Sequence, residues 1–177
     1  PFLRPVVLIR GWGDVGSRMN PLAERLRAQG WRPESVYVLD FVNPIGSNVA
    51  HAEELAVAVD SLLARNPWAT EVDIVAHSMG GLASRWYIQH QGQGLVRRLV
   101  TLASPHRGTV ASLVAPGPGG EEMRPGSPFL TQLDSVLPAG VEGLTIRSEI
   151  ETHILPNESA TLPGVPDTVL CCNMHWT

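Results

Sequence analysis

The sequence lacks the features that are typical of nucleic-acid-binding, membrane-spanning and metal-binding proteins. Its 177 residues include no lysine and only two cysteines, and the net charge is −4. That charge argues against nucleic acid as the main partner. No apolar run approaches the roughly 18 residues of a membrane helix, so no transmembrane segment is expected. No H-E-x-x-H motif or paired cysteine–histidine spacing is present, so a metal site is not expected either.

The two cysteines, Cys171 and Cys172, are adjacent in a predicted strand. Neighbouring cysteines rarely form an unstrained disulfide, and on a strand their side chains point to opposite faces. The pattern therefore favours two small buried residues. A bond to a cysteine outside this sequence is the alternative.

What the sequence does contain is a short strand that turns sharply into a helix. Residues 72–76 predict a buried strand, Ser78 follows, and two glycines lead into a helical stretch over residues 82–88. Such a turn holds the serine backbone in a strained conformation. It also lifts the hydroxyl above the sheet edge, at the positive end of the helix. The pattern is G-x-S-x-G with Ala76 in place of the first glycine.

The stretch AHSMGG after an apolar strand resembles the nucleophile elbow of the α/β-hydrolase lipases and esterases, especially small bacterial lipases without a large lid domain. Matching motifs run from Val6 to His175. The resemblance implies a minimal α/β-hydrolase fold, with one domain over residues 1–177, and a serine carboxyl-ester hydrolase that needs no cofactor. The implied substrate is an acyl ester or lipid, with transient contact to a lipid surface. The resemblance also implies secretion, although the chain begins without a signal-peptide pattern; a cytoplasmic location is the alternative.

The alternation of strands and helices predicts an α/β fold with a doubly wound, mainly parallel sheet. Besides the elbow, strands are expected at residues 5–9, 35–41, 95–102, 141–147 and 167–172, and helices at residues 20–30 and 48–65. The proline- and glycine-rich residues 115–128 are predicted to form no regular element. Short helical stretches around 108–114 and 127–136 flank them, and the segment is either a mobile flap or a surface excursion.

A serine nucleophile needs a base to take its proton, and the base needs an orienting carboxylate. In the fold that the chain resembles, the order is serine, acid, histidine, with acid and base after later strands. His175 lies just past the last predicted strand and fits the place of the base. His153 follows a strand but comes too early. His106 lies in ASPHRGT, which is similar to the TLG-x-PH-x-G segment common in these lipases, and the resemblance implies a structural or pocket-wall role for it.

The acid is sought in the segment RSEIETHILPNESA, where Glu149 and Glu151 lie just beyond the predicted strand. Similar lipases carry S-x-x-D-x-x-V-x-P-x-x-S-A here, and the alignment puts Glu151 at the aspartate position. Glutamate can play the same orienting part. Glu149 and Asp134 are the alternatives, whereas Asp167 is expected to start its strand.

A glycine-rich loop, RGWGDVGS, directly follows the first strand, and its backbone N–H groups can bind an anion. Similar lipases carry an HG dipeptide and an oxyanion-hole amide here, and Arg10 replaces that histidine. The resemblance puts the two oxyanion donors at the backbone amides of Trp12 and Met79; an ordinary strand-to-helix loop is the alternative. Apolar residues compatible with an acyl pocket are Trp12, Met79, Leu82, Val110, Leu113 and Trp176.

Three other functions stay open. The same residues could serve a thioesterase, an acyltransferase or a lipid deacylase. The departures at Arg10 and Glu151 keep open a catalytically degenerate binding protein. An interaction module with an incidental serine turn is the third. The chain also stops two residues after His175, where similar folds usually continue into a further helix, so a trimmed chain or an unusually short member is expected.

Overall fold

The fold is built around one parallel β-sheet. A computed structural model describes residues 3–133 and 135–171. The strands are β1 (Val6–Ile9), β2 (Val36–Leu39), β3 (Val72–His77), β4 (Val96–Leu102), β5 (Glu142–Ser148) and β6 (Asp167–Leu170). They lie in the order β2-β1-β3-β4-β5-β6, and every neighbouring pair is parallel. The parallel, doubly wound sheet predicted from the sequence is confirmed.

Helices connect most of these strands. Within the described residues they are α1 (Asn20–Ala28), α2 (Asn48–Arg65), α3 (Gly80–His90), α4 (Gly117–Glu122) and α5 (Pro128–Gln132). Shorter 3-10 turns occur at Gly16–Met19, Pro33–Ser35, Val110–Val114 and Asn157–Ala160. Helix α2 has the bounds predicted for it, and it begins where the Ser47 hydroxyl accepts a hydrogen bond from the Val49 amide at 3.1 Å. None of the described helices is both long and apolar enough to cross a membrane.

Both faces of the sheet are covered, as a continuously apolar β1 requires. Side chains alternate along a strand, so Val7 and Ile9 pack against α2 and α3, whereas Val6 and Leu8 pack towards α1. All four are at most 3% exposed. This three-layer core holds the carboxyl ends of β1, β3 and β4 side by side, and the candidate site lies at those ends.

The prediction for residues 115–128 is wrong in one respect, because the segment contains the short helix α4. Its helical backbone is supported from outside. The Glu122 carboxylate accepts hydrogen bonds from the Ser47 hydroxyl at 2.6 Å, the Asn48 amide at 2.6 Å and the Asn48 side chain at 2.8 Å. A carboxylate at the start of α2 is favoured by the helix dipole. Helical stretches flank the segment as predicted, at Val110–Val114 and α5, although α5 ends at Gln132, earlier than expected.

The prediction of buried thiols is wrong for Cys171, which is exposed and disulfide-bonded. The physical reason is its place at the end of β6, which pairs on one side with β5. All four residues of β6 are exposed. Cys172 lies outside the described residues.

Candidate active site

Ser78 occupies the turn between β3 and α3 with a backbone φ of 53°. A non-glycine residue in this left-handed region costs about 1–3 kcal/mol and persists only where surrounding structure enforces it. The turn is held at both ends, since the Ser78 amide donates to Leu102 O at 2.8 Å and Ser78 O accepts from the Gly81 amide at 3.0 Å. The strained backbone predicted for this serine is confirmed.

Two glycines let the loop after β1 and the start of α3 approach the turn closely. A Cβ on Gly11 would lie 2.6 Å from the Ser78 Cβ. A Cβ on Gly80, the last glycine of the motif, would lie 2.8 Å from Ile9 Cγ2 and 2.9 Å from Arg10 O. All three distances are shorter than real Cβ contacts, so this packing requires glycine at both positions. The loop after β1 is thereby pressed against the nucleophile turn.

Two backbone amides at this contact have no acceptor among the described residues. They belong to Trp12, directly after Gly11, and to Met79, directly after Ser78. Met79 also forms the N-terminal cap of α3, where unsatisfied N–H groups carry partial positive charge. These are the two amides that the resemblance names as oxyanion donors.

Arg10 has a local partner that accounts for its presence in the loop. Its Nε donates to Asp14 Oδ2 at 2.7 Å, and the Arg18 Nε lies 3.0 Å from Asp14 Oδ1. Burial alone would raise the pKa of Asp14. The hydrogen bonds from Arg10 and the Val15 amide, with the charges of Arg10 and Arg18, together lower it. The ion pair between Arg10 and Asp14 therefore bridges the loop across Trp12.

The two candidate acids differ in their surroundings. Glu151 is 8% exposed, and its Oε1 accepts hydrogen bonds from the amides of Thr152 at 2.8 Å, His153 at 2.7 Å and Ile154 at 3.2 Å. These three bonds fix the carboxylate in its own loop. Glu149, by contrast, is exposed.

Asp167 is not part of the site. Asp167 begins β6 as expected, and it accepts hydrogen bonds from Arg147 Nε at 2.9 Å and the Thr145 hydroxyl at 2.7 Å. Asp134 lies outside the described residues.

His106 is a structural residue between β4 and α3. It is 4% exposed, its Nε2 lies 3.0 Å from the Thr101 hydroxyl, and Arg85 Nη1 donates to its carbonyl at 3.3 Å. Burial, with the charges of Arg85 and Arg107, holds its pKa well below the usual value. His175, the predicted base, lies outside the described residues. Among the described residues, no group of three or more His, Cys, Asp or Glu could hold a metal ion.

Ser78 opens into a pocket of about 200 Å³. Its lining is Trp12, Ser78, Thr109, Ala111, Ser112, Ala115, Met123, His153 and Ile154. Two of the polar members are turned to internal partners, because the Thr109 hydroxyl donates to His153 O at 2.6 Å and the Ser112 hydroxyl donates to Thr109 O at 2.6 Å. The pocket therefore presents a mainly apolar surface to whatever binds beside Ser78.

Thr109, whose role was not predicted from the sequence, joins the three segments that wall this pocket. Besides its bond to His153 O, its hydroxyl accepts from the Leu155 amide at 2.9 Å. Its own amide donates to Met123 O at 2.9 Å. Its place before the 3-10 turn Val110–Val114, which it caps, is the one signal visible in the sequence.

Residues 115–128 form part of the pocket wall. Ala115 and Met123 line the pocket, and the Trp12 indole N–H donates to Pro116 O at 3.1 Å. With the Glu122 contacts to the start of α2, these bonds anchor the segment against the candidate site. A plain surface excursion is therefore excluded.

Comparisons with known proteins agree with this geometry. A family model described as a PGAP1-like alpha/beta domain matches residues 38–115, less than half of the chain. Triacylglycerol lipases of Pseudarthrobacter phenanthrenivorans and Burkholderia plantarii are each 30% identical over 111 residues, covering 59% of this chain and 34% and 30% of theirs. The chain thus spans about a third of the length of these curated relatives.

Solved structures show the same fold. The mature lipase BlEst2 of Bacillus licheniformis superimposes with a TM-score of 0.83 at 17% identity, over 99% of this chain and 86% of that one. The α/β-hydrolase fold predicted from the sequence is confirmed.

Proposed function

We propose that this chain, which has the α/β-hydrolase fold and resembles its lipases and esterases, hydrolyses carboxylic esters through Ser78. The observation that carries the proposal is the position of Ser78. It sits on a left-handed turn at the carboxyl end of β3 and lines a mainly apolar pocket. The acceptor-free amides of Trp12 and Met79 flank it. Ester hydrolysis through an acyl-enzyme needs an accessible nucleophile, a pocket for the acyl group and hydrogen-bond donors for the oxyanion that develops.

The proposed reaction has two halves. The Ser78 Oγ attacks the ester carbonyl carbon while His175 takes the hydroxyl proton. The carbonyl oxygen becomes an oxyanion that the Trp12 and Met79 amides stabilise. As the tetrahedral intermediate collapses, the bond to the alcohol oxygen breaks and His175 gives its proton to the leaving alcohol. Water then attacks the acyl-enzyme by the same route and releases the acid.

Glu151 is proposed to orient His175 and to stabilise its charged form. Support comes from its burial and from the three amides that hold Oε1, because a carboxylate fixed by its own loop has little freedom to turn away. The exposed Glu149 lacks that arrangement. No cofactor enters these steps.

The proposed substrate is an acyl ester, with the acyl group in the apolar pocket. The curated relatives are named triacylglycerol lipases, which favours lipid esters and transient contact with a lipid surface. Secretion is proposed on the resemblance to bacterial lipases alone.

Ester hydrolysis by purified protein tests the proposal. Ser78→Ala is expected to abolish turnover of a p-nitrophenyl butyrate probe while leaving the melting temperature nearly unchanged. Ser61→Ala is the matched control, because Ser61 lies on α2, away from the pocket, and accepts a hydrogen bond from Arg65. Turnover by Ser78→Ala that approaches that of Ser61→Ala would remove Ser78 from its role. Parallel thioester and amide probes distinguish an esterase from a thioesterase or an amidase.

A further inference from the structure

The pocket beside Ser78 is small for a lipid-processing enzyme. Its volume is about 200 Å³, whereas pockets for drug-sized ligands hold about 300–1,000 Å³. An apolar cavity of about 150 Å³ accommodates one benzene molecule, which has six carbons. In proportion, this pocket accommodates about eight carbons.

The walls of the pocket are parts of the hydrophobic core. Met123 is 5% exposed and packs in a cluster with Met79, Leu82 and Phe129. Ile154 is 2% exposed and packs with Ala103 and Ala160. Side chains in such close-packed clusters cannot retreat without opening voids elsewhere.

Hydrogen bonds also tie the walls to one another. Thr109 links its own segment to residues 153–155 through its hydroxyl, and to Met123 through its amide. The Val110 amide adds a bond to Leu155 O at 3.0 Å. Widening the pocket would break several buried hydrogen bonds at once, and leaving such groups unpaired is costly. The described walls of the pocket are therefore held in place by packing and by hydrogen bonds.

We propose that this pocket selects esters of short and medium acyl chains, up to about eight carbons. Met123 and Ala115, with Ala111 and Ser112 of the 3-10 turn, line the space that the acyl chain would fill. The inference rests on the proposed ester hydrolysis and names the substrate class of that same site. A longer chain has no room among these residues and would have to leave the pocket for solvent.

A series of p-nitrophenyl esters from acetate to palmitate tests the proposal. For the wild-type protein, kcat/KM is expected to peak between butyrate and octanoate and to fall at least tenfold by laurate, because one misfitting methylene in an apolar pocket changes kcat/KM by about 10–200-fold. A peak at laurate or palmitate would overturn the inference while leaving ester hydrolysis intact. Absence of turnover on every ester would instead overturn the proposed function on which it rests.

Two pocket variants move the preference in opposite directions. Met123→Ala removes about three heavy atoms, so the peak is expected to shift about two or three carbons longer. Ala115→Leu, at a half-buried position, is expected to shift it to acetate or butyrate. Met19→Ala is the matched control, since Met19 is also buried, at 3% exposure, but packs in the α1 cluster.

The control separates pocket size from lost stability. Met19→Ala is expected to keep the wild-type chain-length profile even if its melting temperature falls as far as that of Met123→Ala. A profile unchanged in both pocket variants would overturn the inference. An equal shift in Met19→Ala would do so as well.

Discussion

Replacement of Glu151 by glutamine separates the orienting charge from the fold of its loop. The amide oxygen of glutamine can still accept the bonds that Oε1 takes from residues 152–154. A bond to a charged acceptor contributes about 1.5–3 kcal/mol and one to a neutral acceptor about 0.5–1.5 kcal/mol. The substitution is therefore expected to lower the free energy of unfolding by about 1 kcal/mol per bond, or by about 3 kcal/mol if the three bonds are additive.

The expected effect on the activation free energy of the reaction is larger than this effect on folding stability. An isosteric amide in a comparable triad lowers kcat roughly 10⁴-fold, which corresponds to about 5.4 kcal/mol. We expect Glu151→Gln to lose turnover on that order, with KM little changed. The assay is steady-state hydrolysis of a short ester by protein that a thermal melt shows to be folded.

Glu149→Gln is the matched control for Glu151→Gln. It makes the same change two residues away, on an exposed side chain, and is expected to keep near-wild-type turnover. Should Glu149→Gln cripple the protein while Glu151→Gln stays active, the assignment of the acid is wrong by two positions.

Three further changes probe other parts of the account. Thr109→Val should lower kcat more than it raises KM, by loosening the loop that carries Glu151, and Thr109→Ser should restore most activity; equal loss in both variants would contradict a role of the hydroxyl. His175→Ala should abolish turnover, and the double variant with Ser78→Ala should be no worse than either single one; multiplying losses would show that the two do not act together. The pKa of His106 is depressed in the folded protein, so the unfolded protein binds more protons at this residue. The contribution of His106 to folding stability is therefore full above about pH 6.5 and is lost as the pH falls below that value. His106→Gln should flatten this fall between neutral pH and pH 5 in urea titrations, and an unchanged slope would contradict it.

Most of the fold could be predicted because its elements carry local signals. The apolar spacing of residues 48–65 gave the bounds of α2, and the β-branched run at residues 5–9 predicted a strand buried on both faces. The elbow was recognisable for the same reason, since a strand, Ser78 and Gly80 are contiguous. The strain at Ser78 followed from that local pattern.

What could not be predicted depends on contacts between distant residues. Helix α4 forms in a proline- and glycine-rich stretch because Glu122 reaches Ser47 and Asn48, 75 and 74 residues earlier in the chain. Thr109 was missed because its partners His153 and Leu155 lie 44 and 46 residues away. Cys171 was misjudged because local sequence does not reveal that β6 is exposed along its whole length. The role of His175 and secretion stay predictions.

Labelling by a fluorophosphonate, which reacts with activated serine hydroxyls, measures most directly whether Ser78 is a nucleophile. Incubation of the wild-type protein with the probe, followed by proteolysis and mass spectrometry, is expected to place one adduct on the peptide that contains Ser78. Ser78→Ala should take up no probe, and His175→Ala should take it up far more slowly. Absence of an adduct from folded wild-type protein, or an adduct on another serine, would contradict the claim that Ser78 is an activated nucleophile.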